Sequence, residues 1–141
     1  MFDLHGNDRL TEWKKFRDSL ENSLDPLEQT ARYWAKAPFV NHFLNPEDPK
    51  SWPDPWHLVL DNKFDNLAIC LGMLYTLKLT DRFIDTKCEI HMSMSSNAHH
   101  RDYFLIVDKQ NILNLEYSRV VDISHLNSIQ TRELWSVTGS L

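Results

Sequence analysis

The segment spanning residues 63–79 constrains the fold most strongly, because apolar side chains cover nearly every side of the helix that it predicts. One face repeats at helical spacing, and further apolar residues widen that face almost all round. These residues are Phe64, Leu67, Ala68, Ile69, Cys70, Leu71, Met73, Leu74, Tyr75 and Leu77. Asn62 precedes the segment and can cap it. A helix that is apolar on most sides is usually buried, so the sequence predicts a central helix.

After this helix the apolar period changes to two, which is typical of half-buried strands. Residues 88–94 alternate between apolar and polar side chains and predict a first strand. Residues 102–107 predict a second strand, and the polar stretch 108–111 predicts a hairpin loop before a third strand at 112–118. Residues 119–123 extend that strand or form a fourth one. The predicted fold class is therefore α+β, with the central helix packed on a small antiparallel sheet of three to four strands.

Three further helices are predicted before the central one. Thr11 can cap the first, and Asp25 followed by proline is a start signal for a second helix over residues 26–36. Residues 38–56 form a connection with five prolines, which favours an extended, semi-rigid chain. The Asp-Pro pair near its end predicts a short third helix over residues 55–60.

The chain has 141 residues, which suits one domain with a real core. Within it we expect a helical part (1–37), a Pro/Trp-rich connection (38–61), a helix-plus-sheet part (62–123) and a C-terminal extension (124–141). This extension has weaker signals, which fit a short helix followed by an extended tail.

Charge and residue usage exclude several functional classes. The net charge of −5 argues against a nucleic-acid binder, which usually has a basic face. We expect no membrane contact, because no apolar run is long enough to span a bilayer, and the first six residues lack the pattern of a signal peptide. With only three glycines, neither a phosphate loop nor a dinucleotide fingerprint occurs, so no cofactor is expected. Two cysteines make no disulfide framework and suit a reducing cytoplasm.

The order of elements over residues 62–122 resembles the core of the transglutaminase and papain-like peptidases. In those families a cysteine opens a central helix, a histidine begins a following strand, and an Asp or Asn lies on the next strand. The resemblance puts the helix opening at residues 65–69, a histidine at His99 or His100, and the third group at Asp108 or Asp122.

The cysteine of this sequence does not stand at that helix opening. Cys70 follows it by about two turns, in an apolar stretch where burial raises the pKa of a thiol and makes it inert. We therefore expect no enzymatic activity, and the alternative is a cysteine hydrolase that uses Cys70 with His99 or His100 and Asp122.

A zinc site is the second chemical possibility. Cys88, His91, His99, His100 and His125 are available as ligands. None of them forms the Cys-x-x-Cys or His-Glu-x-x-His spacing that places two ligands on one face. We therefore expect no metal site.

Tryptophan is the most unusual component of the composition. Five occur in the chain, and four of them, including Trp34, fall within the first 56 residues. Tryptophan is enriched at protein interfaces, because it combines a large area with a polar N–H. We expect Trp13, Trp52, Trp56 and Trp135 to contact a partner. In the opposite interpretation, these rings fix irregular loops to the core.

Residues 10–17, 49–58, 63–66 and 74–83 are similar to small proteins encoded by T4-like tailed phages of marine cyanobacteria. The resemblance implies a virion or assembly protein and supplies no catalytic residue. The leading hypothesis is a non-enzymatic structural or adaptor protein of the tail, baseplate or neck, assembled in the host cytoplasm into the virion. Its partners would be other phage structural proteins, with repeated copies in a symmetric assembly. A further alternative is an intracellular phage protein that binds a host factor.

Overall fold

The central helix expected from the sequence is present as α4 (Asn66–Lys78), and most of its side chains are buried. Its N-cap is Asp65 rather than Asn62, because the Asp65 Oδ1 accepts a hydrogen bond of 2.8 Å from the backbone N–H of Ala68. Asn62 instead ends the preceding helix in the left-handed conformation, with φ of 53°. The predicted helix is therefore correct in place and three residues too long at its start.

The computed structural model describes residues 1–94, 102–126 and 130–141. The other α-helices in these ranges are α1 (Gly6–Leu20), α2 (Pro26–Trp34) and α3 (Pro55–Asp61). The strands are β1 (Cys88–Ser93), β2 (Tyr103–Val107), β3 (Asn111–Leu113), β4 (Val120–Asp122) and β5 (Thr131–Val137). Short 3₁₀ turns occur at Pro49–Ser51 and Ile123–Leu126. No helix in the described parts of the chain is long and apolar enough to cross a membrane.

The strands form one antiparallel sheet with the order β4-β3-β2-β1-β5. The α+β class is confirmed, although the described residues contribute five strands rather than three to four. The additional strand is β5, which pairs along β1 where the sequence predicts an extended tail. The third strand is shorter than predicted and ends at Leu113.

The two faces of the sheet bury different clusters. On one face, Cys88 and Ile90 of β1 pack with Leu105 and Val107 of β2 in the main core, which also contains α4. On the other face, a smaller cluster consists of Phe104, Ile106 and Ile112. This division follows from the period of two along each strand.

The N-terminal helices differ from their predicted capping. Thr11 lies inside α1, which begins at Gly6, and its hydroxyl donates to the carbonyl of Asn7. Asp25 precedes α2 as predicted but makes no capping hydrogen bond. Asp54 does cap α3, because its Oδ1 accepts from the backbone N–H of His57 at 2.8 Å, and this bond lowers the pKa of the carboxyl.

A single hydroxyl group on α4 anchors both N-terminal helices. The indole N–H groups of Trp13 and Trp34 donate to the Thr76 Oγ1 at 3.0 and 2.8 Å, and the Thr76 hydroxyl donates to the carbonyl of Gly72. Gly72 gives the Trp34 ring room, since a Cβ there would lie 2.4 Å from that ring. Trp13 and Trp34 are both fully buried. Trp13 is therefore a core residue, and the expectation that it meets a partner does not fit this structure.

We predict that Thr76→Val lowers the free energy of unfolding by about 2–4 kcal/mol, because each buried donor that loses its partner costs about 1–3 kcal/mol. Urea denaturation followed by tryptophan fluorescence measures this change. Thr11→Val is the matched control on an exposed helix surface, and we expect it to change stability by less than about 0.5 kcal/mol. Equal stabilities of the two variants would show that the shared hydroxyl does not anchor the helices.

Candidate functional site

The side chain of Asn114 joins the opening of α4 to the sheet. Asn114 directly follows β3 and has a positive φ of 70°. Its Nδ2 donates to the Asn66 Oδ1 at 2.8 Å, to the carbonyl of Tyr103 at 2.9 Å and to the Cys70 Sγ at 3.2 Å. Because the Asn114 amide has two hydrogens and three acceptors, one of the hydrogens is shared between two acceptors. The site is therefore built from the first residue of α4, the first residue of β2 and the end of β3.

Cys70, one turn into α4, has no exposed surface. Burial raises the pKa of its thiol to about 12, against a smaller lowering by the hydrogen bond from Asn114. Cys88 is also fully buried, and burial raises the pKa of that thiol to about 11. The thiolate is the nucleophilic form of cysteine, so we expect both thiols to be unreactive at neutral pH.

The remaining members of the alternative catalytic set are not brought to Cys70 by the described residues. His99 and His100 lie outside those residues. Asp122 ends β4 and pairs with Asn111 at the start of β3, whereas Asn114 follows the other end of that strand. Asp122 is exposed and accepts a hydrogen bond from the backbone of Ser124, which lowers the pKa of its carboxyl.

The opening of α4 and the start of β2 carry other residues than the transglutaminase and papain-like resemblance implies. The helix opens with Asn66, where the resemblance calls for cysteine, and β2 begins with Tyr103, where it calls for histidine. Asn114, which directly follows β3, is bonded to the helix opening, whereas the resemblance puts the third group at Asp108 or Asp122. Residues 65–69 are the one part of this site that the sequence indicates, because the resemblance puts the helix opening there. Tyr103 and Asn114 were missed, since their proximity depends on the pairing of β2 with β3.

The zinc candidates are distributed over different parts of the fold. Cys88 faces the main core, whereas His91 lies an odd number of residues along β1 and faces the opposite side of the sheet. His125 lies on the exposed surface of the turn Ile123–Leu126. Cys88, His91 and His125 therefore do not form a common site in this part of the chain.

Aromatic and proline side chains line a groove between the connection and β5. Its cavity volume is about 430 Å³, and Trp52, Tyr75 and Trp135 contribute its rings. The rings of Trp52 and Trp135 meet edge to face with their centroids 6.1 Å apart. Burial raises the pKa of Tyr75 to about 12, and its neutral hydroxyl donates to the carbonyl of Pro53 at 2.6 Å. We call this feature the aromatic groove.

Trp56 lies outside the aromatic groove on α3 and is 44% exposed. Its ring packs edge to face on Trp13 at a centroid distance of 5.8 Å. The guanidinium of Arg17 lies 4.5 Å from the Trp13 ring centroid and 5.6 Å from that of Trp56. Of the four tryptophans expected to bind a partner, Trp56 is therefore the most exposed.

Comparison with solved structures identifies proteins with a similar fold. No family model matches the sequence, and no curated relative matches it. The chain is similar to Legionella pneumophila LapG, a protein with a transglutaminase-like cysteine protease fold, at a TM-score of 0.64 and 17% identity. The match covers 92% of this chain and 76% of LapG.

Two further LapG structures give the same result. The calcium-bound form has a TM-score of 0.67 with the same identity and coverage. The EGTA-treated form has a TM-score of 0.65 at 17% identity and covers 92% of this chain and 74% of that one. The likeness establishes the fold, and it agrees with the resemblance that the sequence shows over residues 62–122.

We predict that neither thiol of the folded protein reacts with Ellman's reagent at about pH 8, because both side chains are buried and protonated. In urea both free cysteines become accessible, so two thiols should react per chain. The native protein at increasing urea concentrations provides the control for partial opening. Rapid reaction of either thiol in the native state would contradict the buried, protonated state inferred for both cysteines.

Proposed function

We propose that the protein is a non-catalytic binding protein built on a transglutaminase-like fold. One observation carries the proposal: Asn66 and its hydrogen bond from Asn114 occupy the helix opening where the resemblance places a cysteine. A nucleophile at a helix N-terminus gains reactivity from the helix dipole and the free N–H groups. Asn66 cannot act in this way, and Cys70 is buried one turn further on.

The binding surface that we propose comprises Trp56 and the aromatic groove. Proline restricts the conformations of residues 49–55 before binding, which lowers the entropy lost when a partner docks. Trp52 contributes to this rigidity, because its indole N–H donates to the carbonyl of Asn45 at 2.7 Å. Preformed aromatic surfaces of this kind suit protein–protein contacts.

The partner that we propose is another structural protein of a tailed phage, which makes this chain an adaptor of the tail, baseplate or neck. The support for this step is the sequence resemblance over residues 10–17, 49–58, 63–66 and 74–83, together with the accessible ring of Trp56. In such a particle the chain would occur in repeated copies at a symmetric position.

We predict that mass spectrometry of purified virions detects the protein at a fixed ratio to the major capsid protein. The phage that encodes the chain is the required material, and lysate proteins absent from virions provide the background. Absence from particles would contradict the virion proposal and would favour the intracellular, host-directed alternative.

We predict that Trp56→Ala lowers incorporation into particles by at least about tenfold, since truncating a central aromatic at an interface commonly costs about 2 kcal/mol or more. Leu24→Ala is the matched control, because Leu24 is a fully exposed apolar residue that does not line the aromatic groove. Both variants are compared at equal expression and with unfolding midpoints measured. Equal incorporation of the two variants would exclude Trp56 from the interface.

The second candidate is a cysteine hydrolase, which the fold likeness to LapG favours. This activity would require a rearrangement that exposes Cys70 and releases its Sγ from Asn114. Labelling with iodoacetamide distinguishes the two proposals. Modification of Cys70 in the native protein, and loss of peptide hydrolysis in Cys70→Ala, would support the hydrolase.

A further inference from the structure

Three side chains with metal-ligating atoms converge on the face of the sheet that is turned away from α4. Glu89 and His91 are two residues apart on β1 and therefore point to the same face. Glu133 on the neighbouring strand β5 stands opposite His91 in the register. One ligand atom from each of the three residues lies within 4.8 Å of the others.

The orientation of His91 is set by contacts with Thr131, with Glu89 and with the ring of Phe104. Its Nδ1 lies 3.1 Å from the Thr131 Oγ1, and its Nε2 lies 3.4 Å from the Glu89 Oε1. The imidazole also stacks on Phe104, with the rings 6.0 Å apart and inclined by 15°. In the tautomer in which Nδ1–H donates to Thr131, the Nε2 lone pair points toward the carboxylate side of the cluster. Metal-binding histidines commonly have such a second hydrogen bond, which orients the ring.

Burial and charge also favour a bound cation. The side chains of Glu89 and His91 are only 13% and 14% exposed. The Lys87 Nζ is 3.9 Å from the Glu89 Oε1, whereas no ion pair between described residues neutralises Glu133. A divalent ion between the two carboxylates would compensate both charges and would use the Nε2 lone pair.

We infer that Glu89, His91 and Glu133 form a binding site for a divalent transition-metal ion of the Zn²⁺ class. Two carboxylate oxygens and one imidazole nitrogen are ligands that Zn²⁺ accepts, and the small adjustment needed to reach bonding distances of about 2.0–2.2 Å falls on flexible Glu side chains. Three protein ligands leave one tetrahedral position for water or for a ligand from another molecule. The inference is independent of the proposed partner and of the site at Asn114.

Isothermal titration of the full-length chain with Zn²⁺ alone tests this site. We expect one ion per chain, and at least tenfold weaker binding in Glu133→Gln and in His91→Asn. Thr131→Val removes only the hydrogen bond that orients His91, and we expect it to weaken binding about tenfold or more, as outer ligands do in other sites. Glu116→Gln and His125→Asn are the matched controls on exposed residues, and we expect both to bind as the wild type does.

Thermal unfolding provides a second readout that does not depend on heats of binding. An ion that binds only the folded chain raises the unfolding midpoint, so Zn²⁺ should stabilise the wild type and the two controls but not Glu133→Gln. No binding by the wild type would overturn the inference. The inference would also be overturned if His91→Asn bound Zn²⁺ as the wild type does while a His99→Asn/His100→Asn double variant lost Zn²⁺ binding. That result would place the ion at a different site.

Discussion

The hydroxyl group of Thr76 is the interaction on which the helical part of the structure depends. The buried indole N–H groups of Trp13 on α1 and Trp34 on α2 share this single acceptor on α4, which lies 63 and 42 residues further along the chain. A buried donor without a partner costs about 1–3 kcal/mol, so α1 and α2 are both constrained to place their tryptophans at the same point. Gly72 completes the arrangement, because any side chain there would collide with the Trp34 ring. The roughly 1 kcal/mol that glycine costs inside a helix is offset by this close packing.

The packing around Thr76 also determines which aromatic rings are available for binding. Trp13 and Trp34 are buried in the core. Trp56 packs edge to face on Trp13 and remains 44% exposed. At the other end of α4, Asn114 makes the corresponding connection to the sheet. At the opening of α4, the hydrogen bond between the Asn114 and Asn66 side chains and the one from Asn114 to the carbonyl of Tyr103 join the helix to the sheet.

Local patterns in the sequence predicted the parts of the fold that depend on local interactions. The apolar run of α4, the alternation of β1 and the Asp54 cap of α3 are all visible within a few residues. Most hydrogen bonds of Asn114 and Thr76 join residues that are at least 42 positions apart in the sequence. No local pattern in the sequence can therefore indicate the roles of these two side chains. Trp13 illustrates the difference, because its residue type suits an interface and a core equally well, and only the position of Thr76 decides between them.

The strand β5 was missed for a physical reason that also explains its two roles. A register irregularity between Ile90 and His91 leaves Leu134 as an additional residue opposite β1. A strand with a regular period of two would place Glu133 and Trp135 on the same face. The irregularity reverses the alternation between them, as a β-bulge does, so Trp135 faces Tyr75 and the aromatic groove while Glu133 faces His91. Because of this irregularity, the sequence of β5 lacks the regular alternation that predicts a strand. The same irregularity places Trp135 at the aromatic groove and Glu133 at the proposed metal site.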